Sequence, residues 1–171
     1  IKEGGSAFGT DVNIFKEVIE LVRSKTNKPI IPKLAPNVSN IGLFAKAAED
    51  AGADALAIMN SFPAMAINIK TKKPTLANGS GGLSGPAIKP IAVKLVWDAS
   101  QVTNLPIIGM GGIFEPEDAI EFFLAGATSV AIGTANFIDP STAVRVIDGI
   151  ESYLIKNNCS SIYDIIGQAQ Q

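Results

Sequence analysis

Short apolar runs alternate along the chain with segments whose apolar residues recur at helical spacing. The runs predict strands that are covered on both faces, and they occupy 30–34, 55–59, 107–110 and 129–132. The helical segments cover about 11–25, 40–51, 86–102, 116–124 and 140–154, with a short C-terminal helix over 161–168. Alternating strands and helices are typical of a parallel sheet. The predicted order is therefore one helix followed by four βα units.

Cap residues and apolar stripes indicate where the helices begin, end and pack. Asp11 and Asn40 are suitable N-caps for the first two helices, and Gly52 and Gly126 are suitable C-terminal residues for the second and fourth. The stripes predicted to face the core are Ile14, Val18, Leu21 and Val22 in the first helix, and Leu43, Phe44, Ala47 and Ala48 in the second.

Residues 62–82 show no helical spacing and interrupt the series of βα units. Apolar and polar residues alternate over 65–70, the polar tip Lys70-Thr71-Lys72-Lys73 ends this run, and a second short run covers 74–76. This pattern predicts an inserted β-hairpin with a solvated tip.

Two parallel-sheet folds fit this order of elements. A doubly wound sheet commonly carries G-x-G-x-x-G after its first strand, but here the glycine pairs lie near the end of the chain. A complete (β/α)8 barrel takes roughly 250 residues, and the chain has 171 and begins with a loop pattern at Ile1. We therefore predict an α/β fold: the C-terminal portion of a TIM (β/α)8 barrel. It forms one partial domain over 1–171, from about strand 5 to helix 8, with both sheet edges unpaired and the N-terminal half absent.

Composition excludes several kinds of site and partner. The chain has no histidine and a single cysteine, Cys159, so it offers no histidine triad, no internal disulfide and no expected metal site. A net charge of −2 without a basic stripe argues against nucleic acid. No apolar run approaches the ~18 residues of a membrane span, and no secretory signal is evident. A cytoplasmic location is therefore expected.

Two glycine-containing turns follow the last two predicted strands. Gly111-Gly112 ends one strand, and Gly133-Thr134 ends the next. Glycine lets a ligand approach the backbone closely, and the N–H groups of such turns can hold an anion. In β/α barrels the loops after strands 7 and 8 often bind phosphate, together with a short extra helix. One such turn could be an ordinary strand end, but two in succession favour a phosphate site.

Polar residues at the ends of the earlier strands suggest further ligand contacts. Lys33 interrupts an apolar strand, where burial would be costly without a negative partner. An anionic ring system could be that partner; a neighbouring carboxylate or access to solvent is the alternative. Asn60-Ser61 offers donors and acceptors suited to a planar heterocycle, although alone it is equally a turn. The glycine-rich segment 79–86, which contains Gly85, could cradle a cofactor or serve as a flexible link.

Four segments carry a resemblance to a known family. They are KLAPNVSNI (33–41), INIKTKKPTLANGSGGLSGPAIKP (67–90), IIGMGGI (107–113) and AIGTANF (131–137). Together they resemble dihydroorotate dehydrogenase, in particular the class 1B catalytic subunit of bacteria and archaea, from residue 1 to about 158. The opening GGSAFGTD (4–11) is similar to the loop after strand 4 of that barrel.

The resemblance implies an FMN enzyme that oxidises dihydroorotate to orotate in pyrimidine biosynthesis. It implies that Lys33 lies against the pyrimidine end of the flavin and that Asn60 and Ser61 bind the substrate. The family commonly has Asn-Thr at the latter pair, so Ser61 keeps the hydroxyl. The other cofactor-binding residues implied are Met59 and Gly85 beside FMN, and Gly111, Gly112, Gly133 and Thr134 at its phosphate.

The chain departs from the family pattern in its catalytic base. The family's base is a cysteine in an Asn-x-x-Cys-Pro-Asn motif, expected just upstream of Ile1, and Cys159 matches nothing catalytic. The chain alone is therefore expected to be inactive, because no group would remove the C5 proton. The resemblance further implies an iron–sulfur/FAD electron-transfer subunit and a homodimer. Three alternatives stay open. They are a flavin domain like that of dihydropyrimidine dehydrogenase, which also carries GGLSGPAIKP, a non-catalytic FMN- or phosphate-binding half-barrel, and a gene fragment without a stable fold.

Overall fold

The computed structural model describes residues 8–170, so residues 4–7 of the opening loop lie outside it. The helices are α1 Val12–Arg23, α2 Ile41–Asp50, α3 Lys89–Ser100, α4 Pro116–Leu124, α5 Thr134–Ile138 and α6 Thr142–Lys156. The strands are β1 Lys33–Leu34, β2 Leu56–Ile58, β3 Phe62–Ala64, β4 Ile67–Asn68, β5 Lys73–Pro74, β6 Gly81–Leu83, β7 Ile107–Met110 and β8 Ser129–Ala131.

Four strands form one parallel sheet in the order β1-β2-β7-β8. This spatial order follows the chain order, with no strand inserted on the opposite side. Right-handed crossovers then place the connecting helices on a single face of the sheet, whereas a doubly wound sheet needs a reversal of strand order. The helices contact one another in the matching order α1–α2–α3–α4–α6. The α/β class and the barrel-type winding are thus confirmed.

The core lies between the sheet and this layer of helices. Ile107 and Gly109 of β7 are buried beneath the helices, while Ile108 and Met110 on the other face are only partly buried. A Cβ on Gly109 would lie 2.5 Å from the ring of Phe122, so glycine allows α4 to pack directly against the strand. In the described residues β1 and β8 each have one unpaired edge, as predicted.

The region after β2 contains the predicted hairpin and a second strand pair. In the hairpin, β4 pairs with β5 through Ile67 opposite Pro74, and the lysines at its tip are exposed. The pairing of β3 with β6 was missed, because glycine has a low strand propensity and residues 79–86 therefore indicated a loop. A Cβ on Gly82 would overlap the Ser61 side chain, which explains the glycine in β6.

The predicted stripe of α1 is not the buried one. Phe15 and Ile19 are buried, at 8% and 4% exposure, and the Phe15 ring packs edge-on against Phe44 of α2 at 5.5 Å between centroids. Apolar residues occupy two adjacent stripes of α1, and the contact with α2 selects only one of them. The predicted core residues that are exposed instead are Ile14, Val18, Leu21 and Val22 of α1 and Leu43 of α2.

The predicted caps are observed, and the predicted C-terminal helix is not. The Asp11 carboxylate accepts hydrogen bonds from the N–H groups of the first turn of α1, and the Asn40 side chain accepts one from Gly42 of α2. Residues 161–168 form no α-helix; two short 3-10 turns, Ile162–Asp164 and Gln168–Gln170, lie there. A capping interaction of Ser161 with Asp164 starts the first turn, and Gly167, at a φ of +72°, interrupts the segment before the second.

Candidate functional site

A cleft of about 210 Å³ lies at the carboxyl ends of the four parallel strands. Every strand of the sheet contributes to it, either with its last residues or with the loop that follows. Its lining residues are Lys33, Met59, Asn60, Ser61, Ser84, Ile88, Met110, Gly111, Gly112, Ile113, Phe114, Ala131, Ile132, Gly133, Thr134 and Ala135. Because these positions lie far apart in sequence, the parallel sheet is what brings them together.

The structure brings together all but one of the nine residues predicted for the site. Only Gly85 does not line the cleft; it is buried, and its carbonyl oxygen lies behind Gly112. A Cβ on Gly112 would lie 2.9 Å from the Gly85 carbonyl oxygen and 2.8 Å from the backbone nitrogen of Lys89. Gly85 therefore supports the turn after β7, while its neighbour Ser84 reaches the cleft.

Lys33 is the only charged residue that lines the cleft within the described chain. Its side chain is exposed, whereas the next residue, Leu34, points into the core. Of the alternatives that the sequence leaves open for this lysine, the structure shows access to solvent: the alternation of β1 turns Lys33 away from the helices and toward the open face. Within residues 8–170 Lys33 makes no ion pair, so its ammonium group can meet an anionic ligand in the cleft.

The end of β2 is fixed between its two neighbouring strands. The Met59 N–H donates to the Met110 carbonyl and the Asn60 N–H donates to the Leu34 carbonyl, each at 3.2 Å. Met59 is buried, and its peptide bond with Ile58 is cis. The side chains of Asn60 and Ser61 are exposed at the cleft. Their amide and hydroxyl groups are therefore available to a ligand from a rigid piece of backbone.

The turn from β8 into α5 presents bare backbone to the cleft. The Gly133 carbonyl accepts from the Asn136 N–H at 3.0 Å, and the Asn136 amide donates to the Ile132 carbonyl at 2.9 Å. The N–H groups of Thr134 and Ala135, at the start of α5, have no acceptor within the helix. A Cβ on Gly133 would meet no atom within 4 Å. The hydroxyl of Thr134 donates to the hydroxyl of Ser84 at 2.8 Å, which joins this turn to the glycine-rich segment.

The turn after β7 is held by an ionic cluster behind the glycine pair. The Lys89 ammonium group donates to Asp118 at 2.7 Å and to Glu121 at 2.5 Å. The Asp118 carboxylate also accepts from the N–H groups of Phe114 and Glu115. Burial alone would raise the pKa of Asp118, but the hydrogen bonds from Lys89 and the two N–H groups outweigh it and lower that pKa. The cluster therefore fixes the backbone of the cleft between α3 and α4.

We expect Asp118→Asn to reduce the free energy of unfolding by about 1–2 kcal/mol at pH 7, because a hydrogen-bonded charge in a partly buried cluster is lost. The pKa of Asp118 is lower in the folded chain than its value of about 3.9 in the unfolded chain. The charged carboxylate therefore stabilises the fold at any pH above about 3.9, and this stabilisation is lost as the pH falls through the pKa of the folded state. The difference between variant and wild type should therefore be larger at pH 7 than at pH 3, where part of this stability is already lost. Urea unfolding at both pH values measures it.

Asp148→Asn is the matched control for this comparison, because Asp148 is an exposed carboxylate of α6 without an ion pair among the described residues. It should leave the free energy of unfolding unchanged at both pH values. An Asp118→Asn variant that tracked this control at pH 7 would contradict the role of the cluster.

Sequence reasoning missed several lining residues. Ser84 lies inside the glycine-rich segment that was noted, but no feature of the sequence distinguished it from its neighbours. Ile113 and Phe114 follow the glycine pair, so extending the phosphate-turn argument by two residues would have found them. The apolar lining of Ile88, Met110, Ala131, Ile132 and Ala135 carries no sequence signal, since such residues occur throughout the core.

The parallel sheet, its single layer of helices and the cleft at its carboxyl ends define a β/α-barrel protein. The sequence matches the model of the family "Dihydroorotate dehydrogenase" over residues 1–154. It is 52% identical over 167 residues to "Dihydroorotate dehydrogenase B (NAD(+)), catalytic subunit" of Geotalea uraniireducens, and 48% identical over 167 residues to the protein of that name from Bacteroides fragilis. The chain belongs to the dihydroorotate dehydrogenase family.

These relatives are longer than the chain. Each match covers 98% of the chain and 55% of the relative, so the chain spans about half the length of the curated relatives it matches. The fold agrees with a crystal structure of DHODH in complex with ferulenol from Eimeria tenella, with a TM-score of 0.79 over 94% of this chain and 49% of that chain, at 23% identity. The name "catalytic subunit" implies that the B-type relatives work with a second subunit.

Two further properties concern the described residues. None of the helices within 8–170 is long and apolar enough to cross a membrane. In the same residues no group of three or more histidine, cysteine or acidic side chains is placed to hold a metal ion.

Proposed function

We propose that the cleft binds FMN and that the chain forms part of the site where a dihydroorotate dehydrogenase oxidises dihydroorotate to orotate, in the cytoplasmic pathway of pyrimidine synthesis. The observation that carries the proposal is the convergence of eight predicted site residues, from all four strand ends, on one cleft. Dihydroorotate dehydrogenases are flavin-dependent, and the family match covers most of the chain.

The residues of the cleft fit a phosphorylated, flat cofactor. The turn at Gly133 leaves open space beside its backbone, and the first turn of α5 offers N–H donors to an anion. The volume of the cleft, about 210 Å³, is smaller than the roughly 300–1,000 Å³ of complete small-molecule sites. The described residues therefore supply a portion of such a site. This agrees with the finding that the chain matches only 55% of the length of its relatives.

Each group in the cleft has a proposed part in this chemistry. Bound FMN supplies the two-electron acceptor for the reaction. The N–H groups at Gly111, Gly112, Gly133 and Thr134 hold its phosphate, and Met59 offers backbone to its ring. The Lys33 ammonium group stabilises negative charge at the pyrimidine end of the ring. Asn60 and Ser61 orient the substrate through hydrogen bonds to its carbonyl and N–H groups.

A cysteine that could serve as the family's proton acceptor is not among the described lining residues. They contain neither cysteine nor histidine, and Cys159 follows α6 outside the cleft. The proposal therefore assigns binding and orientation to these residues, and proton removal to the family's cysteine. The partners proposed are the iron–sulfur/FAD subunit of the B-type enzyme and a second copy of the chain.

The proposal predicts that the chain retains flavin. After incubation with FMN and desalting, the protein should show a flavin absorbance band near ~450 nm, because the phosphate turns lie on a rigid sheet. Bovine serum albumin treated in the same way should stay colourless. A colourless chain with a cooperative thermal transition would contradict FMN binding by this cleft. Retained flavin without orotate formation would support binding and agree with a proton acceptor that lies outside the described lining residues.

A further inference from the structure

A pair of hydroxyl groups bridges two separate parts of the cleft. Ser84 follows β6 in the glycine-rich segment, and Thr134 is the first residue of α5. The Thr134 Oγ1 donates to the Ser84 Oγ at 2.8 Å, and both residues line the cleft. Since a hydroxyl group can accept and donate at once, Ser84 keeps its own hydrogen for another acceptor. No other described residue takes it.

The charge distribution in the cleft indicates which kind of group the Ser84 hydroxyl can donate to. The only cationic lining residue in the described chain is Lys33, which belongs to β1 at one edge of the sheet. The Ser84–Thr134 pair lies beside the end of β8, at the opposite edge. An anionic group at this end therefore meets neutral N–H and O–H donors and no ammonium or guanidinium group.

We propose that the Ser84 hydroxyl, oriented by Thr134, donates a hydrogen bond to the phosphate of the bound flavin and thereby selects FMN over its unphosphorylated form. This inference rests on the proposed function and adds a residue to the site. A hydrogen bond to a charged acceptor is roughly twice as strong as a neutral one, and a donor that itself accepts a hydrogen bond is further polarised. The pair also links the glycine-rich segment to α5 by a hydrogen bond across the proposed phosphate site.

The test compares the affinities of the chain for FMN and for riboflavin, which lacks the phosphate. Quenching of flavin fluorescence gives both Kd values for the wild type, Ser84→Ala, Thr134→Val and the double variant. Each single variant should raise the Kd for FMN about tenfold and change that for riboflavin less than twofold. The double variant should weaken FMN binding by less than the product of the two single effects, because both remove the same hydrogen bond.

Two further variants separate this role from a loss of structure. Ser84→Thr restores a hydroxyl and should recover most of the FMN affinity. Ser152→Ala removes a hydroxyl that donates to the Asp148 carbonyl in α6, outside the cleft, and should change neither Kd. Thermal unfolding of Ser84→Ala should match the wild type, since Ser84 is exposed.

The outcomes distinguish the two proposals. A wild-type chain that binds FMN more tightly than riboflavin, with that preference lost in Ser84→Ala, supports the inference. If the wild type binds FMN and Ser84→Ala binds it equally well, or weakens both flavins alike, the inference is overturned and the proposed function stands. If the wild type binds neither flavin, both are overturned.

Discussion

Replacing Gly133 with valine should raise the Kd for FMN at least a hundredfold, which corresponds to about 2.7 kcal/mol. A Cβ at Gly133 meets no protein atom within 4 Å, so the isopropyl group would project into space beside the turn at the start of α5. It would then occupy the position that we assign to the phosphate and cover the N–H groups of that turn. Equilibrium titration with FMN measures the effect.

The control for this variant comes from the other glycine turn. Valine at Gly112 would place a Cβ 2.8 Å from the Lys89 backbone nitrogen, at a φ of +78° that disfavours side chains. That variant should therefore lose stability as well as flavin, whereas Gly133→Val should keep the thermal transition of the wild type. A Gly133→Val chain that retained FMN with the wild-type Kd would show that the phosphate lies elsewhere.

The sequence predicts the fold well wherever a local signal and the tertiary packing agree. The caps at Asp11 and Asn40 and the apolar runs of β2 and β7 are such signals, because the same residues decide local structure and burial. Two features escaped prediction for tertiary reasons. The buried stripe of α1 depends on its contact with α2. The glycines of β6 give no strand signal on their own, and their fit becomes visible only where Gly82 pairs with Pro63 and leaves room for the Ser61 side chain.

The residues of the candidate site can likewise be divided into those that a local sequence signal predicts and those that only the tertiary structure brings together. Glycine turns and polar strand ends are recognisable in sequence because parallel strands bring their carboxyl ends to one edge of the sheet. Lys33 lines the cleft, but the sequence could not decide whether it is buried or exposed, because exposure depends on what covers the open face of the sheet. The bond between Ser84 and Thr134 joins residues 50 positions apart, and only the three-dimensional structure reveals it.

Lys33→Met should make the bound flavin harder to reduce, lowering its midpoint potential by about 40 mV, or about 2 kcal/mol for two electrons. Two unit charges about 4 Å apart interact by about 4 kcal/mol at an effective dielectric constant of 20, and the exposure of Lys33 reduces that value. Because Lys33 is the only cationic lining residue of the described cleft, no neighbouring group replaces it. Methionine is an uncharged, unbranched side chain that is only one heavy atom shorter than lysine.

Potentiometric titration of the FMN-loaded chain gives the midpoint potential directly, without needing turnover. Lys25→Met is the matched control, since Lys25 is an exposed lysine outside the cleft, and it should leave the potential unchanged. High salt should shrink the difference between Lys33→Met and the wild type only partly, because a ligand in the cleft shields the pair from ions. An unchanged potential in Lys33→Met would place the ammonium group away from the flavin ring and leave it to contact another anion in the cleft.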